Sequence, residues 1–317
     1  MAPVLLRDKK DVVNNGDWMS SLPEELWDIP LTHLAIPGSH DAMSYCLDIT
    51  SPLVQSESDT FRLLDGIFYC FTRPVIYRWT TTQVKGIMEQ LQAGIRYFDL
   101  RIAKRPNDTS NDLYFSHIIY TQLRVVETLR TMATWLSAHP KEIVILACRQ
   151  FEGLHEKHHE ELIYFIKNIF GAKLCPHNAA DISLRGLWSS AHQVLLSYDN
   201  QAATRHKVLW PGIPYWWANK ANAEELLQYL EWQKELGRPD GFFVSGLNLT
   251  ATRCFIASHP QVSLQVLTME NWECIKRWLE EQKPGAKSTS LNIIAGDFVE
   301  IIPFCSIVIA LNKKQSQ

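Results

Sequence analysis

Ala35-Ile36-Pro37-Gly38-Ser39-His40-Asp41-Ala42 is the stretch around which this chain is organised. An apolar run from Leu31 to Ile36 precedes it, with the length of a buried strand, and Pro37-Gly38 ends that run. His40 and Asp41 are therefore expected at the carboxyl end of a buried strand, where α/β folds place their chemistry. Taken alone, the eight residues could equally be a turn with ordinary polar side chains.

Strand and helix patterns alternate along the rest of the chain. After the first run at 31–36, apolar runs predict strands at 95–103, 113–117, 142–148, 193–197, 241–247 and 291–295. Helical spacing predicts helices over about 81–93, 122–138, 156–170, 223–236, 271–282 and 301–312. This alternation indicates parallel βαβ units in a single α/β domain.

Two further segments carry apolar residues outside this alternation. Trp18, Leu22, Leu26 and Trp27 could form a short amphipathic helix that plugs one end of the fold. The long connection at 43–80 contains the aromatic segment 67–71. We expect its aromatic side chains to pack inward, and the alternative is an apolar rim for a greasy substrate.

Composition excludes several classes of protein. Of the 317 residues, 46% are apolar and 21% charged, and the net charge is −3, which is typical of a soluble globular protein. With no Lys/Arg block longer than two residues, a nucleic-acid partner is not expected. The late apolar run at 301–311 is too short to span a bilayer. Seven scattered cysteines, and no signal-like apolar core in residues 1–10, predict reduced thiols in a cytoplasmic protein.

Each predicted strand has, at or near its carboxyl end, a polar side chain that can do chemistry. These side chains are His40, Arg101, His117, Arg149, Tyr198, Asn248 and Asp297. A (β/α) barrel brings such groups together at one end. Two imidazoles suit a general base and a general acid near neutral pH, and guanidinium groups match phosphate oxygens. A base, an acid and a cation without a separate nucleophile indicate phosphodiester cleavage, in which a hydroxyl of the substrate can attack.

Several of these motifs resemble the X domain of phosphatidylinositol-specific phospholipase C. The resemblance lies in Ile36-Pro37-Gly38-Ser39-His40-Asp41, in Gln90-Leu91-Gln92-Ala93-Gly94-Ile95-Arg96-Tyr97-Phe98-Asp99-Leu100-Arg101 and in His117. Segments 142–149, 246–250 and 293–297 are similar in order and spacing. The similarity runs over about 18–312 and is greatest to short animal proteins that consist of an X domain alone. It implies an irregular TIM-type barrel over 31–312, with a lead-in at 1–30 and a tail at 313–317.

The resemblance also implies an activity. A phosphatidylinositol or phosphoinositide substrate would be cleaved to diacylglycerol and an inositol (cyclic) phosphate. His40 would take the proton from the inositol 2-hydroxyl, His117 would protonate the departing diacylglycerol oxygen, and Arg101 would stabilise charge on the phosphate. The supporting carboxylates would be Asp297 for His40, Asp41 for His117 and Asp99 for Arg101.

The resemblance bears on metal use as well. Members that bind Ca²⁺ carry an Asn after the first His and two acids spaced i, i+2, whereas this chain has Asp41, Asp99 and Arg101. An arginine inside a would-be metal site repels the ion and can replace it electrostatically. No metal and no other cofactor are therefore expected.

Head-group binding is expected from a second set of residues at the same end of the barrel. This set comprises Arg149, Tyr198, Trp216, Trp217 and Asn248. The loops near Phe68 and Trp216 are candidates for transient contact with a membrane surface.

Two alternatives stay open at this point. A catalytically weak X domain could serve as a lipid-binding or interaction module, since a fold does not guarantee activity. The segment 155–159 also matches the zinc-protease pattern H-E-x-x-H, although a third ligand is not evident.

Overall fold

The structure is a computed structural model that describes residues 14–315. The first thirteen residues of the expected lead-in and the last two of the expected tail lie outside this range. One sheet contains all the strands of the described residues. In chain order they are β1 (Ile36–Ser39), β2 (Tyr97–Ala103), β3 (Tyr114–His117), β4 (Ile119–Arg124), β5 (Val144–Glu152), β6 (Val194–Tyr198), β7 (Leu209–Trp210), β8 (Tyr215–Trp216), β9 (Val244–Gly246) and β10 (Ile293–Gly296).

Eight of these strands follow a single curled path in the order β7-β6-β5-β2-β1-β10-β9-β8. All pairings along this path are parallel, and β7 and β8 form its two edges. Helices in the connections pack against the sheet, as parallel strands require. The predicted fold class, an irregular TIM-type barrel in a single α/β domain, is confirmed.

The helices cover the outside of the sheet and one end of it. They are α1 (Asp59–Ile67), α2 (Tyr69–Thr80), α3 (Ile87–Ala93), α4 (Val125–Ala138), α5 (Glu156–Phe170), α6 (Leu184–Ser189), α7 (Ala223–Leu236), α8 (Arg253–Ser258), α9 (Leu264–Glu281) and α10 (Phe304–Leu311). The main core lies between the sheet and these helices, and it includes Phe98, Leu146, Leu196 and Ile294.

Local pairing overrides the sequence pattern at several element boundaries. The predicted strand at 113–117 is antiparallel rather than a parallel barrel strand, because it forms a hairpin with β4 at the edge of β2. Residues 119–124 are therefore a strand, and α4 begins at Val125 rather than at residue 122. The helix predicted from residue 81 begins at Ile87, and the one predicted from residue 271 begins at Leu264.

The N-terminal segment plugs the barrel without the predicted helix. Within residues 14–30, helical structure is limited to a short 3₁₀ helix at Glu24–Leu26. Trp18, Leu22 and Leu26 are nevertheless buried against the inner side chains of the strands. The plug closes the end opposite the polar side chains, so the barrel opens at one end.

Residues 59–80 form the helical hairpin α1–α2, which the sequence pattern did not predict. A buried ion pair between Arg73 Nη2 and Asp65 Oδ2, 2.6 Å apart, joins the two helices. The expectation that the aromatic segment packs inward is wrong, since Phe68 is 51% exposed and Phe71 79% exposed. These side chains form an apolar rim instead.

Candidate active site

The register of the sheet brings two catalytic candidates together. Ser39 of β1 pairs with Gly296 of β10, so the next residue of each strand, His40 and Asp297, lie side by side. The backbone N–H of His40 donates to the carbonyl of Gly296 at 3.1 Å. Parallel strands thus place at one edge two residues that lie far apart in the sequence.

His40 is held in the form of a base. Its Nδ1 lies 2.7 Å from Asp297 Oδ1, and its Nε2 lies 2.7 Å from Arg101 Nη2. Because arginine can only donate, Nε2 carries the lone pair and Nδ1 carries the proton that Asp297 accepts. Asp297 therefore fixes the tautomer in which Nε2 can take up a proton.

His117 has the complementary arrangement. Its Nδ1 donates to the backbone carbonyl of Thr80 at 2.6 Å and lies 3.3 Å from Asp41 Oδ2, which leaves Nε2 to carry a second proton. Burial and the neighbouring charges of Arg101 and His40 lower the pKa of His117, although Asp41 opposes them. The two imidazole rings are nearly perpendicular, at an interplanar angle of 82°, and their centroids lie 6.2 Å apart.

Arg101 lies between the two histidines and two carboxylates. Its guanidinium nitrogens are 3.3 Å from Asp41 Oδ2 and 3.3 Å from Asp99 Oδ2. Burial would lower the pKa of Arg101, but these carboxylates raise it above its ordinary value. Burial would likewise raise the pKa of Asp99, but Arg101 and Arg149 lower it. Both groups are therefore charged across the physiological range of pH.

The backbone conformation at Asp41 lets its carboxylate contact both Arg101 and His117. Its φ of 43° lies in the left-handed region, which Asp adopts more readily than most residues. Its N–H donates to Asp99 Oδ2 at 3.2 Å, and its carbonyl accepts from Thr82 Oγ1 at 3.1 Å. These contacts hold the turn that directs the Asp41 carboxylate at both Arg101 and His117.

Part of the expected head-group set also meets at this edge. The Arg149 guanidinium lies 5.4 Å from the centre of the Tyr215 ring, and Tyr215 donates to Asn248 Oδ1 at 2.8 Å. Sequence reasoning missed Tyr215, although it directly precedes Trp216 and Trp217, which were expected in this pocket. Trp217 lines the cavity and is 51% exposed.

Two residues of the expected head-group set lie on the other face of the sheet. The hydroxyl of Tyr198 lies 2.8 Å from His159 Nδ1, and its ring packs on Phe151 in the outer core. Trp216 packs on Phe243, with ring centroids 4.7 Å apart. Because side chains alternate along a strand, the inward position of Tyr215 forces Trp216 outward. Tyr198 and Trp216 were therefore wrong as head-group residues.

One cavity of about 840 Å³ contains this cluster at its polar end. Its remaining wall is largely apolar and comes from the α1–α2 hairpin, from α8 and from neighbouring loops. The arrangement can hold a polar phosphodiester beside the histidines and an apolar group further out.

The zinc-protease pattern has a structural explanation. The backbone N–H of His155 donates to His158 Nδ1 at 3.1 Å at the start of α5, and His159 is buried against Tyr198. Within residues 14–315, no group of three or more His, Cys, Asp or Glu side chains is placed to hold a metal ion. The helices in this range also include none long and apolar enough to cross a membrane.

Comparison with known proteins places the chain in a family. Residues 75–198 match phosphatidylinositol-specific phospholipase C, X domain. The chain is 49% identical over 301 residues to PI-PLC X domain-containing protein 1 of Homo sapiens. This alignment covers 95% of this chain and 93% of that protein. The chain is 38% identical over 308 residues to PI-PLC X domain-containing protein 3 of Mus musculus, covering 96% and 95% respectively.

Solved structures of bacterial enzymes share the fold. The phosphatidylinositol-specific phospholipase C from Listeria monocytogenes superposes with a TM-score of 0.65 at 19% identity, over 95% of this chain and 99% of that one. A variant of the enzyme from Staphylococcus aureus gives a TM-score of 0.61 at 16% identity, over 94% and 96%. With relatives this similar over nearly its whole length, the chain belongs to the family of PI-PLC X domain-containing proteins.

Proposed function

We propose that the protein is a metal-independent phospholipase C that cleaves phosphatidylinositol-type lipids to diacylglycerol and an inositol (cyclic) phosphate. The observation that carries this proposal is the pairing of His40 and His117. One imidazole carries a lone pair on Nε2 that accepts from Arg101, the other has Nε2 open for a proton, and Asp41 contacts both Arg101 and the second imidazole. The family and the fold agree with a phosphodiesterase of this class.

In the first step of the proposed reaction, Nε2 of His40 and Nε2 of His117 each transfer one proton. The inositol 2-oxygen attacks phosphorus as His40 Nε2 removes its proton, and Asp297 stabilises the imidazolium. The bond from phosphorus to the glycerol oxygen breaks, and His117 Nε2 donates a proton to that oxygen. Water can then open the cyclic phosphate while the two histidines exchange roles. The phosphate would draw Arg101 away from His40, which frees the base.

Metal independence is supported by the position of Arg101. Its guanidinium occupies the space between the Asp41 and Asp99 carboxylates, where a cation would bind. The test is release of inositol phosphates from phosphatidylinositol vesicles in excess Ca²⁺ chelator. Undiminished release would support the proposal, and a requirement for added Ca²⁺ would contradict metal independence.

The alternative is lipid binding without turnover, which the apolar cavity and the exposed α1–α2 rim would also support. The same vesicle assay distinguishes cleavage of the lipid from lipid binding without turnover. Vesicle binding with no inositol phosphate released, by protein whose fold is intact, would favour the binding module. The seven free thiols support our placement of either activity in the cytoplasm.

The rate is expected to depend on pH through His117. The acid must be protonated, and the pKa of His117 lies below its ordinary value of 6.5. The protonated fraction is therefore lost as pH rises through that lowered value. We expect the alkaline limb of kcat/KM for a water-soluble substrate to lie below pH 6.5. A limb above this value would contradict the assignment. The alkaline limb of kcat should lie at a higher pH than that of kcat/KM, because bound phosphate stabilises the His117 imidazolium.

Membrane contact is proposed for the tip of the α1–α2 hairpin. Ile67 is 62% exposed and Phe68 51% exposed. Replacing both with serine is expected to weaken binding to phosphatidylinositol vesicles by roughly 10- to 100-fold, since two apolar side chains would no longer enter the bilayer. Sedimentation with vesicles measures this. Tyr164→Ser, at an exposed position of α5, is the control, and equal loss in both proteins would contradict the proposed contact.

A further inference from the structure

The apolar part of the cavity is built from three helix faces. Residues spaced three or four apart line it from each helix, so each helix turns one face inward. At α1 the face comprises Thr60, Phe61 and Leu64, at α2 Phe71, Thr72, Val75, Ile76, Trp79 and Thr80, and at α8 Arg253, Ile256 and Ala257. Glu57 and Pro260 line the cavity from just outside α1 and α8.

Contacts across the cavity hold these faces at fixed positions. Arg253 Nη2 lies 2.7 Å from Glu57 Oε2, and its guanidinium lies 5.0 Å from the centre of the Phe61 ring. On the other side, Arg78 Nη2 donates to the carbonyl of Pro260 at 2.5 Å. The three faces therefore enclose a groove, and the Glu57–Arg253 pair leaves its wall without net charge.

The groove begins at the general acid of the proposed mechanism. His117 Nδ1 is bonded to the carbonyl of Thr80, the last residue of α2, and both Thr80 and Ile118 line the cavity. His117 is assigned to protonate the glycerol oxygen of the leaving group. The lipid part of the substrate is attached to that oxygen, so it extends from His117 toward the apolar faces.

We propose that this groove is an acyl-chain subsite, which takes one acyl chain of the diacylglycerol leaving group into the protein during cleavage. The inference rests on the proposed function and goes beyond it, because it assigns recognition of the lipid chain to the protein interior. Burial of each methylene in the groove should raise kcat/KM by about fourfold.

The first test uses water-soluble esters of inositol 1-phosphate, from methyl to octyl, as monomers and without vesicles. We expect kcat/KM to rise about fourfold with each added methylene until the groove is filled. The absence of a membrane removes interfacial binding as an explanation. Equal kcat/KM for all chain lengths would overturn the inference.

The second test blocks the groove. Ala257 and Leu64 line it and are exposed, so Ala257→Trp and Leu64→Asp should fold normally. Each is expected to lower the ratio of octyl to methyl kcat/KM by roughly tenfold or more, one by filling the groove and the other by charging it. Ala172→Trp, at an exposed site remote from the cavity, is the matched control. A ratio unchanged in both groove variants would overturn the inference.

A binding measurement separates this inference from the proposed function. Octyl phosphate and methyl phosphate are not substrates, and calorimetry gives their dissociation constants. If no ester is cleaved but octyl phosphate binds more tightly and Ala257→Trp removes the difference, the acyl-chain subsite stands and the proposed function falls. If the esters are cleaved with no dependence on chain length, the proposed function stands and the subsite falls.

Discussion

Replacing His117 with alanine is expected to slow cleavage of phosphatidylinositol by roughly 10²- to 10⁴-fold, because the departing glycerol oxygen would then leave without a proton. The same variant should lose far less on a 4-nitrophenyl ester of inositol 1-phosphate, whose leaving group is stable as an anion. His40→Ala should lose a similar factor on both substrates, because the attacking hydroxyl needs a base in either case. Initial rates with the two substrates measure the contrast.

A matched control makes this contrast specific. His177 is an exposed histidine that is bonded to the backbone of Lys207, away from the cavity. His177→Ala should keep the wild-type rate on both substrates. If His117→Ala lost the same factor on the lipid and on the aryl ester, its role as the acid would be contradicted. If all three variants matched wild type, the enzyme hypothesis would be abandoned.

The sequence predicts much of this site because of the geometry of parallel strands. His40, Arg101 and Asp297 each follow or end a short apolar run, and parallel strands bring such positions to one edge. His117 lies at the same edge for a different structural reason. It ends an antiparallel hairpin strand on β2, so its position depends on a local pairing that strand spacing does not reveal.

The site predictions that the structure contradicts concern the direction of a side chain. A shift of one residue along a strand reverses that direction. Within 215–217, only the position of β8 in the sheet determines that Tyr215 faces the site and Trp216 the outer core. Tyr198 ends a strand whose alternate residues, Val194 and Leu196, belong to the outer core, which is the signal that could have excluded it. The α1–α2 rim was only the less favoured alternative because its aromatic residues suggest burial, whereas in the structure they are exposed beside the Asp65–Arg73 pair.

Arg101→Ala is expected to lower cleavage of phosphatidylinositol by roughly 10²- to 10³-fold, since a preorganised cation would no longer stabilise charge on the phosphate. Arg101→Lys should recover only part of this loss, because one ammonium cannot contact Asp41, Asp99 and a phosphate in the forked geometry of guanidinium. Arg185→Ala is the control, since Arg185 is an exposed arginine paired with Asp28 and Glu24. Initial rates on vesicles in excess chelator measure all four proteins.

Addition of Ca²⁺ to Arg101→Ala tests what the arginine replaces. The variant leaves the Asp41 and Asp99 carboxylates facing an open space beside His40, and oxygen ligands of this kind suit Ca²⁺. Arg101 is one of the two arginines whose charges offset the buried charge of Asp99, so its loss leaves negative charge that favours entry of another cation. We therefore expect Ca²⁺ to restore part of the activity of Arg101→Ala and to leave wild type unchanged. Activation of wild type by Ca²⁺ would contradict this role, because Arg101 already supplies the charge.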